Sequence, residues 1–402
     1  MLTRLAMMDR LRVLLIAYAF PPVGGAGVQR AVKLVKYLPD WGIDAAVLTV
    51  ENPSVPLTDS SFDKDIAGVT VHRARTLEPG YGVKRAGWKA SVKGVGSTSI
   101  KARLLRAGMA LARQLLVPDP QLLWFPGAGL KLAQIAADYD VVVITAPPFS
   151  QFLLGPLATL RGVPLVLDYR DEWSTLRGSY EMLQGGLAAA VGAPLERVLL
   201  RACDSVVTAT PAFRRNILRT YSFLSPQRVH AISNGYDPDD FPAALPAPPT
   251  NRFVISYAGT VYRLTSARTL LGAVRQLHAT KPQLAKLLEV RFMGRIVDTE
   301  LDAFEGTDAL GVRRLGYVPH DEVLALLGNS HMVMCMQADA PGVEHIYPGK
   351  VFELMKLGRP ILTISPAGAL TRLVQQLKLG VIFDPHDQDG LCRFLTLQLI
   401  DF

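Results

Sequence analysis

The chain has 402 residues, of which 49% are hydrophobic and 19% charged, so it exceeds the usual size of one domain and can bury two cores. No apolar run reaches the roughly 18 to 20 residues that a membrane span needs, and Cys203, Cys335 and Cys392 lie too far apart for a disulfide framework or a zinc site, which leaves them as core thiols. The formal charge of +8 attracts anions and does not choose among nucleotides, nucleic acid and acidic lipid.

The first apolar stretch, "RVLLIAY", follows the basic "MLTRLAMMDRL" and has the look of a signal-peptide core. It runs into "PPVGG" without a small-x-small cleavage site, and its length suits the buried first strand of a cytoplasmic protein. The loop that follows contains Gly24, Gly25 and Gly27, which let a ligand approach the backbone where a helix begins. A dinucleotide fingerprint requires G-x-G-x-x-G. Gly25 and Gly27 fit its first two positions, but the third is Arg30, whose bulk conflicts with close helix-to-strand packing. A tight turn joining strand to helix is the alternative.

Strands are expected at "DAAVLTV" and "VTVHRA". A stretch without Asp or Glu then runs from Pro79 to Pro118, in which Lys84, Arg85, Lys89, Lys93, Lys101, Arg103, Arg106 and Arg113 gather around Trp88. Within it, helical periodicity puts Leu105, Met109, Ala112 and Leu116 on one face. Such a helix can lie on anionic lipid or pack against its own domain. Few aromatic residues and no known reading module argue against nucleic acid.

Further strands are expected at "DVVVITA", "PLVLDY", "DSVVTAT" and "RVHAIS", and then, in a second series, at "FVISYAG", "LEVRFMG", "VRRLG", "HMVMCMQ", "PILTIS" and "GVIFD". Helical stretches separate them, a pattern that calls for parallel sheets covered on both faces. Between the series, "DPDDFPAALPAPPTNR" is too rich in proline for a helix or central strand. The expected organisation is a first α/β domain over residues 1–240, a linker over 241–251 and a second α/β domain over 252–402, both doubly wound.

In "YPGKVFELMKLGRPILTIS", a turn, a helix and a strand follow in succession. Gly349 and Lys350 fall at the helix start, where free amides favour phosphate, and Glu353 lies on the same face, able to accept from sugar hydroxyls. A surface Lys–Glu pair is the plain alternative. No His or Cys spacing suits a metal.

The stretch "GKVFELMKLGRPIL" resembles the nucleotide-binding helix of family-four glycosyltransferases, retaining enzymes of the GT-B fold. The resemblance extends over nearly the whole chain. "GGAGVQRAVKLVKYLPDWGIDAAVLTV" is similar to their first loop, helix and second strand, "ISNGYDPDDF" to their interdomain junction, and "LGYVPHDEVLALLGNSHMVMCM" to the run before the donor site.

The resemblance implies two Rossmann-like domains facing a cleft, with Gly24, Gly25 and Gly27 on the first domain's wall. It assigns the donor ribose to Glu353 and the diphosphate to the backbone around Gly349 and Lys350. The family often carries two acidic residues separated by seven. Here His345 occupies the first position and Glu344 is the neighbouring carboxylate candidate. An arginine and a lysine usually follow the first strand of the second domain, after a glycine that is Gly259 here. Their places are held by Thr260 and a position close to Ser266, with Arg263 and Arg268 as substitutes able to put a guanidinium on phosphate. Where many relatives have a histidine near the acceptor, this chain has Arg170 and Asp171. Asp171 would orient or deprotonate the acceptor hydroxyl and Arg170 would meet a phosphate or acidic group, unless the two form only a structural ion pair.

The expected activity is metal-independent transfer, with retention, from a nucleotide sugar to a saccharide, glycolipid or other hydroxyl acceptor in bacterial-type glycan biosynthesis. No cofactor is implied beyond the donor substrate. The expected location is cytoplasmic, peripheral on the inner membrane face through residues 84–113. A nucleotide-sugar epimerase of the same architecture, or a non-catalytic nucleotide- or membrane-binding relative, remains open. Relatives commonly continue into a segment that crosses back to the first domain, which at "CRFLTLQLIDF" is short.

Overall fold

The computed structural model describes residues 10–55, 58–82, 84, 116–173 and 187–402. The chain divides into two compact units, Met1–Ile232 and Ser233–Phe402. In the first, seven parallel strands form one sheet: β1 (Leu11–Ile16), β2 (Ile43–Val50), β3 (Thr70–Ala74), β4 (Val141–Ala146), β5 (Leu165–Tyr169), β6 (Ser205–Thr208) and β7 (Val229–Ala231). Their order is β3-β2-β1-β4-β5-β6-β7. The second unit holds a six-stranded parallel sheet made of β8 (Phe253–Ala258), β9 (Leu288–Met293), β10 (Val312–Gly316), β11 (Met332–Met336), β12 (Ile361–Ile364) and β13 (Gly380–Phe383). Its order is β10-β9-β8-β11-β12-β13. Every strand expected from the sequence forms, and the fold is the expected pair of doubly wound α/β units.

Burial on both faces explains why these strands are continuous apolar runs rather than alternating ones. Along β1, Leu14 and Ile16 enter one core while Leu15, and Ala17 just beyond the strand, enter the core on the opposite face. The same division holds on β11, where Met332, Met334 and Met336 face one way and Val333 and Cys335 the other. The helix Ala26–Tyr37 covers β1 with Val28, Ala31, Val32 and Val35, a helical spacing that puts all four on one buried face. The three cysteines are buried and unpaired, as expected of core thiols.

The division between the units falls before the proline-rich stretch rather than within it. The reason is that this stretch is tied down inside the second unit. Asn329 Nδ2 donates to the Ala247 carbonyl at 2.5 Å and Arg359 Nη2 to that of Pro246 at 3.4 Å. Leu245 packs so closely on Gly328 that a Cβ there would come within 2.8 Å of its Cδ2.

Among the described residues, no helix is long and apolar enough to cross a membrane. Of the basic segment 84–113, only Lys84 is among the described residues. Its ammonium pairs with the buried carboxylate of Glu78, which also accepts from the Tyr18 hydroxyl. Leu105, Met109 and Ala112 lie outside the described residues.

Candidate functional site

In each sheet, two adjacent strands send the chain to opposite sides, and ligands of open α/β sheets gather beyond the carboxyl ends of the strands at that point. The first unit has its switch between β1 and β4, and the second between β8 and β11. The glycine loop lies at the first of these places and Gly259, Thr260 and Lys350 at the second.

At the first switch, Gly25 caps the Ala26–Tyr37 helix with φ +100°, a left-handed value that a side chain would strain. Gly24 is half-buried, and Gly25 and Gly27 are exposed. Arg30 lies one turn further along. Its guanidinium forks onto Asp168 of β5, with Nε 2.9 Å from Oδ2 and Nη2 2.8 Å from Oδ1, and Thr145 Oγ1 donates to the same carboxylate at 2.8 Å. The bulk expected to disturb helix-to-strand packing is thus absorbed by a buried ion pair that fastens the helix to β5. The spacing of the glycines is that of a turn, and the third fingerprint position serves the scaffold.

Arg170 and Asp171 follow the end of β5. Rather than pairing with a neighbouring carboxylate, the Arg170 guanidinium donates to three backbone carbonyls, those of Gly27, Pro147 and Ala146, the last at 3.3 Å from Nε. It joins the glycine loop to the end of β4. The expected contact with a ligand phosphate therefore changes to one with the walls of the site. Burial lowers its pKa, against the opposing pull of Asp171 and Asp168. Asp171 is half-buried, and burial raises its carboxyl above the usual range despite the nearby Arg170 charge. A carboxylate so placed is suited to taking up a proton.

At the second switch, Lys350 reaches from the start of the Val351–Leu357 helix to the end of β8. Its Nζ lies 2.5 Å from the Ala258 carbonyl oxygen and 3.9 Å from the centroid of the Tyr257 ring. Gly259 makes this possible: it has φ +132°, and a Cβ there would stand 2.3 Å from Nζ. Thr260 is exposed, and its carbonyl accepts from Thr265 Oγ1 and from the Tyr257 hydroxyl.

Glu353, one turn along from Lys350, has its Oε1 3.0 Å from His320 Nε2. His320 opens the His320–Gly328 helix, and its Nδ1 faces Asp240 Oδ2 at 4.0 Å. Gly349 is exposed and passes close to Asn234, whose Nδ2 would lie 3.6 Å from a Cβ placed there.

The remaining candidates are more dispersed. Arg263 is exposed on the turn after β8. Arg268 is committed elsewhere: Nη1 and Nη2 fork onto Asp302 at 2.9 and 2.6 Å, and Nη2 also reaches the Thr299 carbonyl. Its expected place on a phosphate is thus taken by a carboxylate. Ser266, near the expected lysine position, donates to Glu300 at 2.7 Å. Glu344 is exposed, with its Oε1 3.8 Å from His345 Nε2, and its backbone packs against Gly368, where a Cβ would meet the Glu344 Cα at 2.7 Å.

Three participants escape a reading of the sequence. Tyr257, His320 and Asp240 carry no motif of their own, although His320 stands in the run "GYVPHDEV" and Asp240 in "YDPDDF", both of which carry the family likeness.

Known proteins point the same way as the geometry. A family model described as a glycosyl transferase 4-like domain matches residues 24–235. The alpha-maltose-1-phosphate synthase of Mycolicibacterium smegmatis is 30% identical over 177 residues, 40% of this chain, and the match covers only 44% of that enzyme's length. Among solved structures, Anabaena Alr3699/HepE in complex with UDP and glucose superposes with a TM-score of 0.61 at 16% identity, covering 97% of this chain and 90% of that one. WaaG, a glycosyltransferase of lipopolysaccharide biosynthesis, gives 0.60 at 12% identity over 96% and 90%. A putative UDP-N-acetylglucosamine 2-epimerase from Listeria monocytogenes gives 0.51 at 12% identity over 98% and 88%. At such identities these likenesses show the shared GT-B fold, which transferases and an epimerase both use.

Proposed function

The chain belongs to the glycosyl transferase 4-like family, and on that basis we propose that it moves a sugar from a nucleotide-diphosphate sugar to a hydroxyl acceptor. The observation that carries this reading is the helix that begins at the second switch point, with Lys350 on the end of β8 and Glu353 one turn further along it. A lysine there complements a diphosphate, and a held carboxylate complements vicinal ribose hydroxyls.

In this reading the second unit binds the donor and the first binds the acceptor. As the bond from the anomeric carbon to the diphosphate oxygen breaks, the electron pair leaves with the nucleotide, and the Lys350 ammonium stabilises the growing charge. The acceptor oxygen attacks the oxocarbenium-like carbon with retention and passes its proton to Asp171, whose raised pKa suits that task. Arg170 holds the glycine loop against β4 during this step. We place the step outside metal catalysis, because the positive charge is supplied by a side chain. The acceptor is a saccharide or glycolipid of bacterial-type glycan assembly, and the basic segment 84–113 brings the enzyme to anionic lipid on the cytoplasmic face.

A thermal-shift panel with UDP, GDP, ADP, TDP and their sugars tests the reading, since a ligand that binds only the folded state raises the melting temperature. One nucleotide class should stand out, and no shift with any of them would overturn the donor assignment. Incubating the preferred donor without acceptor should leave its sugar unchanged, whereas conversion to an epimer would replace transfer by epimerisation.

A further inference from the structure

The contacts of Glu353 go beyond what the family likeness supplies. An ionised carboxylate can only accept hydrogen bonds, so the 3.0 Å contact between Glu353 Oε1 and His320 Nε2 requires Nε2 to carry the hydrogen. The other ring nitrogen, Nδ1, faces a second carboxylate, Asp240, at 4.0 Å. Glu353, His320 and Asp240 thus form a line of carboxylate, imidazole and carboxylate drawn from three separate elements: the Val351–Leu357 helix, the start of the His320–Gly328 helix, and the short turn Pro238–Asp240. All three side chains are largely shielded, at 18%, 21% and 9% exposure respectively. The turn that carries Asp240 is itself fixed, because Asp237 caps it by accepting from the Asp239 amide at 2.9 Å.

We propose that His320 is a positioning residue that fixes the Glu353 carboxylate for the two hydroxyls of the donor ribose. This rests on the nucleotide-sugar reading above. A glutamate has three rotatable side-chain torsions, and a hydrogen bond on one carboxylate oxygen removes much of that freedom before the ligand arrives. The contact on Oε1 orients the plane of the carboxylate that would meet the vicinal diol. Asp240 lies beyond hydrogen-bond reach of Nδ1 and adds only its charge on the far side of the ring. An outer partner such as His320 sets the geometry of a binding group without touching the ligand.

The test compares calorimetric affinities for the ribo and 2′,3′-dideoxy forms of UDP, GDP and ADP in the full chain. The wild-type protein should prefer the ribo form of its nucleotide by about tenfold or more, equivalent to about 1.4 kcal/mol. Glu353→Ala should abolish that preference. His320→Ala should reduce it to within about threefold while affinity for the dideoxy form stays unchanged, and His320→Gln, which keeps a donor near Nε2, should restore most of it. An undiminished ribo preference in folded His320→Ala would overturn the positioning role, as would equal loss of ribo and dideoxy binding, which marks a merely structural histidine. Failure of the wild-type protein to bind any of the three nucleotides, or TDP, would instead remove the nucleotide-sugar reading itself.

Discussion

Lys350 stands on the last carbonyl of β8, with Nζ 2.5 Å from the Ala258 oxygen, although 92 residues separate the two. An ammonium has three N–H donors, and one carbonyl occupies one of them. The Tyr257 face adds cation–π attraction on another side. The cation is therefore placed before any nucleotide binds, at the carboxyl end of β8. Lys350→Met should weaken nucleoside-diphosphate binding about tenfold or more, in line with the ~1.5–3 kcal/mol of a charge-assisted hydrogen bond, and leave binding of the uncharged nucleoside nearly as it was. Gly259→Ala should reproduce the loss, because its Cβ would take the space of Nζ and strain a backbone at φ +132°. Calorimetry with a nucleoside and its diphosphate checks both, and equal effects on the two ligands would contradict the phosphate role of Lys350.

The two arginines after β8 should separate cleanly. Arg268 keeps its fork on Asp302 and is half-exposed, whereas Arg263 is exposed on the turn itself. Removing a surface pair costs little, because water and salt already screen it. Arg268→Ala should leave donor affinity and melting temperature almost unchanged, while Arg263→Ala should lower donor affinity and not stability. Titration of both variants with the preferred nucleotide sugar decides the matter, and a loss confined to Arg268→Ala would reverse the assignment.

What the sequence reveals and what it hides follows from the range of the interactions. Runs such as "VVVITA" in β4 and "MVMCM" in β11 announce buried parallel strands because burial on both faces demands apolar residues at every position. The alternation with helices announces the doubly wound order, and with it the switch points where the glycine loop and Lys350 lie. Side-chain partners across the sheet leave no comparable trace. Nothing near Arg30 signals Asp168, 138 positions away, so the arginine read only as an obstacle in a glycine motif. Arg170 beside Asp171 suggested a ligand-facing pair, yet the carbonyls it holds belong to β4, its following turn and the glycine loop. The prolines of 241–251 indicate an extended linker, but the hydrogen bonds from Asn329 and Arg359 that bind this stretch to the second unit come from distant helix ends.

The Arg30–Asp168 pair gives a stability prediction. Its side chains are 9% and 3% exposed, so removing one partner leaves the other charge in a poor solvent. Arg30→Ala should destabilise the first unit by about 3–5 kcal/mol, whereas the double change Arg30→Met with Asp168→Leu should recover much of it, because apolar residues need no partner. Denaturant midpoints of the three proteins measure this. Additive losses in the double variant would show that the two residues stabilise the fold independently.

Asp171 joins stability to function. Its carboxyl has a higher pKa in the folded chain than the ~4 of an unfolded one, since burial outweighs the Arg170 charge. The folded state thus holds its proton more tightly, and the linkage sign follows: below the unfolded pKa the residue is neutral in both states and costs nothing. As pH rises from there through the folded pKa, ionisation increasingly favours the unfolded chain. Asp171→Asn is neutral at every pH, so it should match the wild-type melting temperature in acid and equal or exceed it at neutral pH. Sugar transfer should nevertheless fall by a hundredfold or so, the ~10²–10⁴ that a general base contributes, with nucleotide affinity preserved. Melting curves across that pH range, together with transfer assays, test the two halves separately. A variant less stable at neutral pH than in acid, relative to wild type, would contradict the burial argument, and one with full activity would remove Asp171 from the chemistry.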